Sequence, residues 1–232
     1  MSYFIFGVLP YVALTVLVVG SIARYERDPF TWKSGSSQLL GRKQLIWGSI
    51  LFHVGILIVF FGHLIGMLTP VELFHALHIS YAFKQLMAIV VGGIAGAMAI
   101  IGGAMLLHRR LFNPRVRASS TFADTGILVL LFVQIVVGMG TILVSIQHLD
   151  GGEMVKFMDW ARAIFTLRKD AWHIVADVHW IYKLHILLGL VIFILFPFTR
   201  LVHMLSVPVR YLWRPGYQIV RTRKRNASQP AE

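Results

Sequence analysis

Ten histidines punctuate the chain, and four of them occupy positions where imidazole is least expected. His53 and His63 lie in the second of five long apolar stretches, and His185 and His203 are assigned to the fifth. Ionisable side chains inside a membrane-crossing segment are rare and usually functional. The other six, His75, His78, His108, His148, His173 and His179, fall in connecting loops or at stretch ends, where an interfacial or solvated imidazole accounts for them. A single intramembrane histidine can simply hydrogen-bond a neighbouring helix; two pairs on two segments call for more. His53 and His63 are ten residues apart, about 15 Å along a helix. His185 and His203 are 18 apart, five turns that return to the same face over about 27 Å. If the second and fifth segments run in opposite directions, depth pairs His63 with His185 and His53 with His203. The two rises disagree by about 12 Å, so tilt or a kink at Pro197 must bring them together.

Two stacked histidine pairs suit bis-imidazole ligation of two haem irons. With both axial positions filled, such a centre transfers electrons rather than binding oxygen. No Cys-x-x-Cys-His occurs, and the chain has no cysteine at all, so attachment would be noncovalent, as in haem b. Gly55, Gly62, Gly66 and Gly189 leave room for porphyrin faces. The rival from another class is a histidine-relay proton or metal transporter, whose metal site would want carboxylates or thiolates beside the imidazoles. None of the ten acidic residues falls in the second or fifth stretch.

The elements that must hold these residues are legible in the hydropathy. The chain is 232 residues, 57% hydrophobic and 14% charged, where a soluble domain carries about 25% charged residues. Apolar runs cover 1–23, 44–71, 85–107, 125–149 and 184–199, the last short of the ~20 residues a span needs but flanked by Lys183 and Arg200, which can snorkel. The expectation is an all-α integral membrane protein, a five-transmembrane-helix bundle over residues 1–213 followed by a basic cytoplasmic tail, 214–232. The first stretch lacks a basic leader and a cleavage signal and reads as a retained helix, kinked at Pro10. Sixteen of the 22 basic residues fall on one side, and the net charge of +12 resides there. The positive-inside rule makes that side cytoplasmic, with the N-terminus periplasmic and the C-terminus cytoplasmic. The charge is thus assigned to topology and to docking of an acidic partner, and no nucleic acid is expected. Residues 153–166 read as an amphipathic surface helix or lid. Gly92 and Gly96, with Gly102 and Gly103, read as a helix-packing stripe.

Several segments together resemble the gamma subunit of respiratory nitrate reductase. They are 51–57 (LFHVGIL), 61–70 (FGHLIGMLTP), 108–117 (HRRLFNPRVR), 183–185 (KLH), 196–203 (FPFTRLVH) and 206–208 (SVP), with Tyr25, Thr31, Trp32, Ser36, Ser37 and Gln38. The resemblance spans nearly the whole chain. It implies a five-helix dihaem cytochrome b in the bacterial inner membrane that oxidises quinol (menaquinol or ubiquinol) near the outer surface. Electrons would pass to an iron–sulfur beta subunit and on to a molybdenum-containing alpha subunit that reduces nitrate in the cytoplasm. It implies His53 and His203 as ligands of the inner haem and His63 and His185 as ligands of the outer one. It also implies that Lys84, Gly62 and His63 border the quinol pocket, and that Arg110 meets a haem propionate. Without it, Lys84 reads as a snorkelling anchor and Arg110 as a topology charge. The segment between Pro70 and Lys84 is expected to be one residue longer than in that family. A related cytochrome b serving a sulfur-compound or heterodisulfide reductase would carry the same histidine pattern; the loop matches favour nitrate.

Overall fold

An apolar stretch that cannot reach water must satisfy its backbone amides within its own helix. The computed structural model describes residues 2–32, 40 and 42–206, and its regular elements there are all helical. Five helices are long and apolar enough to cross a membrane: Phe4–Arg27, Arg42–Leu68, Tyr81–Phe112, Phe122–Ser145 and Trp180–Phe198. The first comprises a π-helical turn, Phe4–Val8, and α1, Leu9–Arg27. The wide turn sits directly before Pro10, whose missing amide hydrogen would otherwise interrupt the ladder. The other four spans are built on α2 (Arg42–Leu68), α4 (Tyr81–Phe112), α6 (Phe122–Ser145) and α9 (Trp180–Leu195). Short α3 (Val71–Ala76), α5 (Pro114–Ala118) and α8 (Ala171–Ile174) and the longer α7 (Gly152–Phe165) lie between them.

The spans start and stop on local signals. Ser80 caps α4 by accepting from the Phe83 amide. Thr121 and Asp124 form a reciprocal capping box at the start of α6. Asn113 caps α5, with Pro114 at its first position.

Packing follows the order α2 on α4, α4 on α6, α6 on α9 and α9 on α1. The α2–α4 seam is made of small residues. A Cβ on Gly102 would lie 2.3 Å from the Phe52 amide nitrogen, and one on Gly55 would lie 2.5 Å from the Ala95 carbonyl oxygen. Gly55 is therefore consumed by helix contact and does not leave room for a porphyrin. Gly62, Gly66 and Gly92 face open space, which removes Gly92 from the packing stripe while Gly96 and Gly102 remain in it.

One end of the bundle is basic. There Arg24 of α1 donates to the carbonyls of Pro197 and Thr199, at 2.8 and 2.7 Å. Arg109 of α4 donates to the Leu40 carbonyl at 3.2 Å, and Arg200 pairs with Asp124 of α6 at 3.2 Å. The opposite end is covered by α7, whose Met158, Trp160, Ala161, Ala163 and Ile164 are buried. The Trp160 indole donates to the Phe6 carbonyl at 3.0 Å. The amphipathic segment is thus a lid packed on the bundle.

The fifth span differs from the sequence expectation. The α-helix stops at Leu195; a 3₁₀ turn (Phe196–Phe198) follows, then Thr199 in extended conformation, then a second 3₁₀ segment, Arg200–Leu205. His203 is in that second segment, beyond the helix, so an unbroken helix does not relate it to His185. Pro197 has no amide hydrogen to donate, and the carbonyls freed by the break are those Arg24 satisfies. Gly20 of α1 lets the proline ring approach, since a Cβ there would be 2.8 Å from Pro197 Cγ. The basic tail 214–232, together with Ser36, Ser37, Gln38 and Pro208, lies outside the described residues.

Candidate functional site: two histidine pairs between two helices

Across the space between α2 and the fifth span, the four histidines meet in two pairs. The His53 and His203 rings, toward the basic end, have centroids 6.3 Å apart. The His63 and His185 rings, toward the lid, have centroids 5.9 Å apart. The break after Leu195 is what lets His203 reach the level of His53. Two imidazoles bound at about 2 Å on opposite sides of one metal have ring centres about 6 Å apart, so both pairs are spaced to hold one ion each.

The ring nitrogens are also set for ligation. His53 Nδ1 lies 2.7 Å from the Ser49 carbonyl, His63 Nδ1 lies 2.8 Å from the Val59 carbonyl, and His203 Nδ1 contacts the Arg200 carbonyl. A carbonyl can only accept, so in these three rings Nδ1 carries the proton and Nε2 keeps its lone pair. A ligand histidine is commonly fixed in this way. His185 is held differently. Gln134 of α6 donates to the His185 main-chain carbonyl at 3.1 Å and stands 3.4 Å from its Nε2, while His185 Nδ1 and Gln134 Oε1 are buried with no partner.

No group of three or more histidine, cysteine, aspartate or glutamate side chains that could hold a metal occurs among the described residues. Each pair therefore offers two donors, half of what a tetrahedral zinc site takes. A porphyrin supplies the other four donors itself. The residues fit haem in two further respects. Gly62 and Gly66, beside His63, face open space. At the basic end Arg110 has a buried Nη1 with no partner, within electrostatic range of Arg109, Asp124 and Arg200.

Lys84 is in the first turn of α4. Its ammonium donates to the Gly66 carbonyl at 2.7 Å, contacts Met158 Sδ of the lid at 2.9 Å and lies 3.9 Å from the Phe74 ring centre. A snorkelling lysine would reach for water; this one is turned back toward the end of α2 that carries His63.

Comparison with known proteins bears on this arrangement. The family model described as nitrate reductase gamma subunit matches residues 2–223. The chain is 47% identical to the respiratory nitrate reductase 2 gamma chain of Escherichia coli (strain K12), covering 97% of this chain and 98% of that one. It is 39% identical to the nitrate reductase gamma chain of Bacillus subtilis (strain 168), covering 94% and 97%. The chain belongs to the nitrate reductase gamma subunit family.

Within this gamma-subunit fold, the structure brings His63, Gly62, Lys84 and His185 to the lid end, and His53, His203 and Arg110 to the basic end. Sequence reasoning passed over Gln134, although a lone amide in the most apolar span meets the same test that singled out the histidines. It also passed over Arg24 and the Arg200–Asp124 pair, whose roles depend on a helix break that spacing alone does not reveal.

Proposed function

We propose that this chain is the membrane-anchoring, quinol-oxidising dihaem cytochrome b subunit of a nitrate reductase in the bacterial inner membrane. Its partners on the cytoplasmic side are an iron–sulfur beta subunit and a molybdenum-containing alpha subunit. The observation that carries this reading is the two histidine pairs, each spaced for one metal and with no third protein ligand among the described residues. His53 and His203 would hold the inner haem, and His63 and His185 the outer one. When bound, the haems supply one-electron relay at two depths across the bilayer.

The remaining steps belong to side chains. Arg110, with a buried unpartnered Nη1, offers a charge-assisted hydrogen bond to a propionate. The Lys84 ammonium, anchored on Gly66, can donate to a quinol oxygen and favour negative charge as its proton leaves. Met158 and the rest of the α7 lid bound this pocket, and the open space at Gly62 lets a flat ring lie against α2. With the basic face inside, the lid end is periplasmic. Protons are then released outward while electrons move inward, and turnover builds membrane potential.

The test is to purify the complex in mild detergent and add a quinol analogue anaerobically. The reading expects reduced b-type absorption bands to appear and then to bleach on adding nitrate. A complex that shows no b-type absorption, or one that quinol does not reduce, would overturn it.

A further inference from the structure

Three of the four paired histidines take their orientation from their own segment, through a carbonyl three or four residues upstream. His185 does not. Its polar neighbour is Gln134, on a different helix. The Gln134 amide nitrogen bonds the His185 main-chain carbonyl at 3.1 Å and lies 3.4 Å from the ring Nε2, leaving His185 Nδ1 and Gln134 Oε1 buried and unpartnered. The same stretch of α6 is shaped to receive the ring, for a Cβ on Gly138, one turn after Gln134, would be 2.8 Å from His185 Cε1. Two orphaned polar atoms on touching side chains are costly unless something uses them.

We infer that Gln134 is the positioning residue of the outer haem ligand: it holds the His185 ring in place of the carbonyl that holds the other three. This rests on the proposed dihaem reading and extends it to α6. When one ring nitrogen of His185 ligates iron, the other would carry a proton, and the atom of Gln134 able to accept from it is the orphaned Oε1, since the amide nitrogen only donates. The strength of that hydrogen bond sets how strongly the imidazole donates to the metal. The outer site can therefore be tuned from a neighbouring helix, α6, without touching either ligand, whereas the inner histidines are held from within their own segments, by carbonyls and, at His53, also by the Ser49 hydroxyl 3.1 Å from Nδ1.

The experiment is a redox titration of the purified complex, with optical and electron paramagnetic resonance detection, for Gln134→Leu, Gln134→Glu and Gly138→Ala. Gln134→Glu places an anionic acceptor beside the ring and should lower the reduction potential of the outer haem alone. Gln134→Leu should shift the low-spin signal of that haem and leave the inner signal as in the unmodified complex. Gly138→Ala, which crowds the ring, should deplete the outer haem selectively. The unchanged inner haem shows that each variant has folded. If both Gln134 variants leave both potentials and both signals unchanged, or shift the two haems equally, the inference is wrong. Absence of b-type haem from the unmodified complex would instead defeat the functional reading on which it rests.

Discussion

His53 and His63 give their Nδ1 protons to carbonyls one helical turn back, so the fold itself selects the tautomer that leaves Nε2 free for metal. At the lid end, on the same side as His63, Lys84 combines a hydrogen bond to Gly66, a sulfur contact with Met158 and an aromatic face, Phe74. None of these partners is an anion, and the proposed function assigns the ammonium's charge to a substrate oxygen. Lys84→Ala should therefore slow reduction of the haems by a quinol analogue on the order of tenfold or more, as expected for loss of a charged donor aimed at developing negative charge. Both haems should stay bound and reducible by dithionite. Stopped-flow absorption measures the rate; near-normal kinetics in the variant would remove Lys84 from the pocket. The histidines were legible in the sequence because the apolar setting makes a titratable group conspicuous. Gly55 was misread because a glycine beside a ligand can serve either a porphyrin or a neighbouring helix, and only packing against Ala95 and Ala99 distinguishes the two.

At the scale of elements, hydropathy found all five spans but placed their ends by polarity rather than by caps. The third span was expected to stop at residue 107, yet α4 continues through Arg109 and Arg110 to Phe112, because those arginines carry on the helical hydrogen bonding until Asn113. Pro197 was expected to kink the fifth span; instead the helix ends there, because Thr199 is extended and Arg24 caps the freed carbonyls. The α2–α4 seam allows a direct test. Gly102→Val puts branched carbon against the Phe52 backbone, and little monodisperse protein should be recovered by size exclusion in detergent. Gly62→Ala, which meets open space, should be recovered like the unmodified chain. The lid offers a contrast in the energetics of its attachment. Trp160→Phe strands the buried Phe6 carbonyl and should cost about 1–3 kcal/mol, read as a lower unfolding temperature. Lys156 holds the Asp177 carboxyl below its ordinary range through a hydrogen bond. That pair's contribution is present above the carboxyl's unfolded pKa and is lost as pH falls through the lowered one. Asp177 is 69% exposed, so Asp177→Asn should leave the unfolding temperature nearly unchanged at neutral pH.

Across the whole molecule, the proposed function assigns one direction to the charge asymmetry and histidine depth: quinol at the lid end, electrons leaving at the basic end. The orientation is testable because the chain has no native cysteine. A cysteine replacing exposed Lys169 beside the lid should react with a membrane-impermeant maleimide in spheroplasts. One replacing exposed Arg117 should react only in inverted vesicles. The reverse pattern would turn the proposed electron path around. The central claim, that two haems b lie between two histidine pairs, is tested most directly by haem extraction and quantitation per chain in the purified complex, alongside His53→Ala and His63→Ala. Two axial ligands per iron and four paired histidines require about two haems b per chain. His53→Ala should lose the inner haem and His63→Ala the outer, each retaining about one. A single haem in the unmodified complex, or the same haem lost from both variants, would contradict the account.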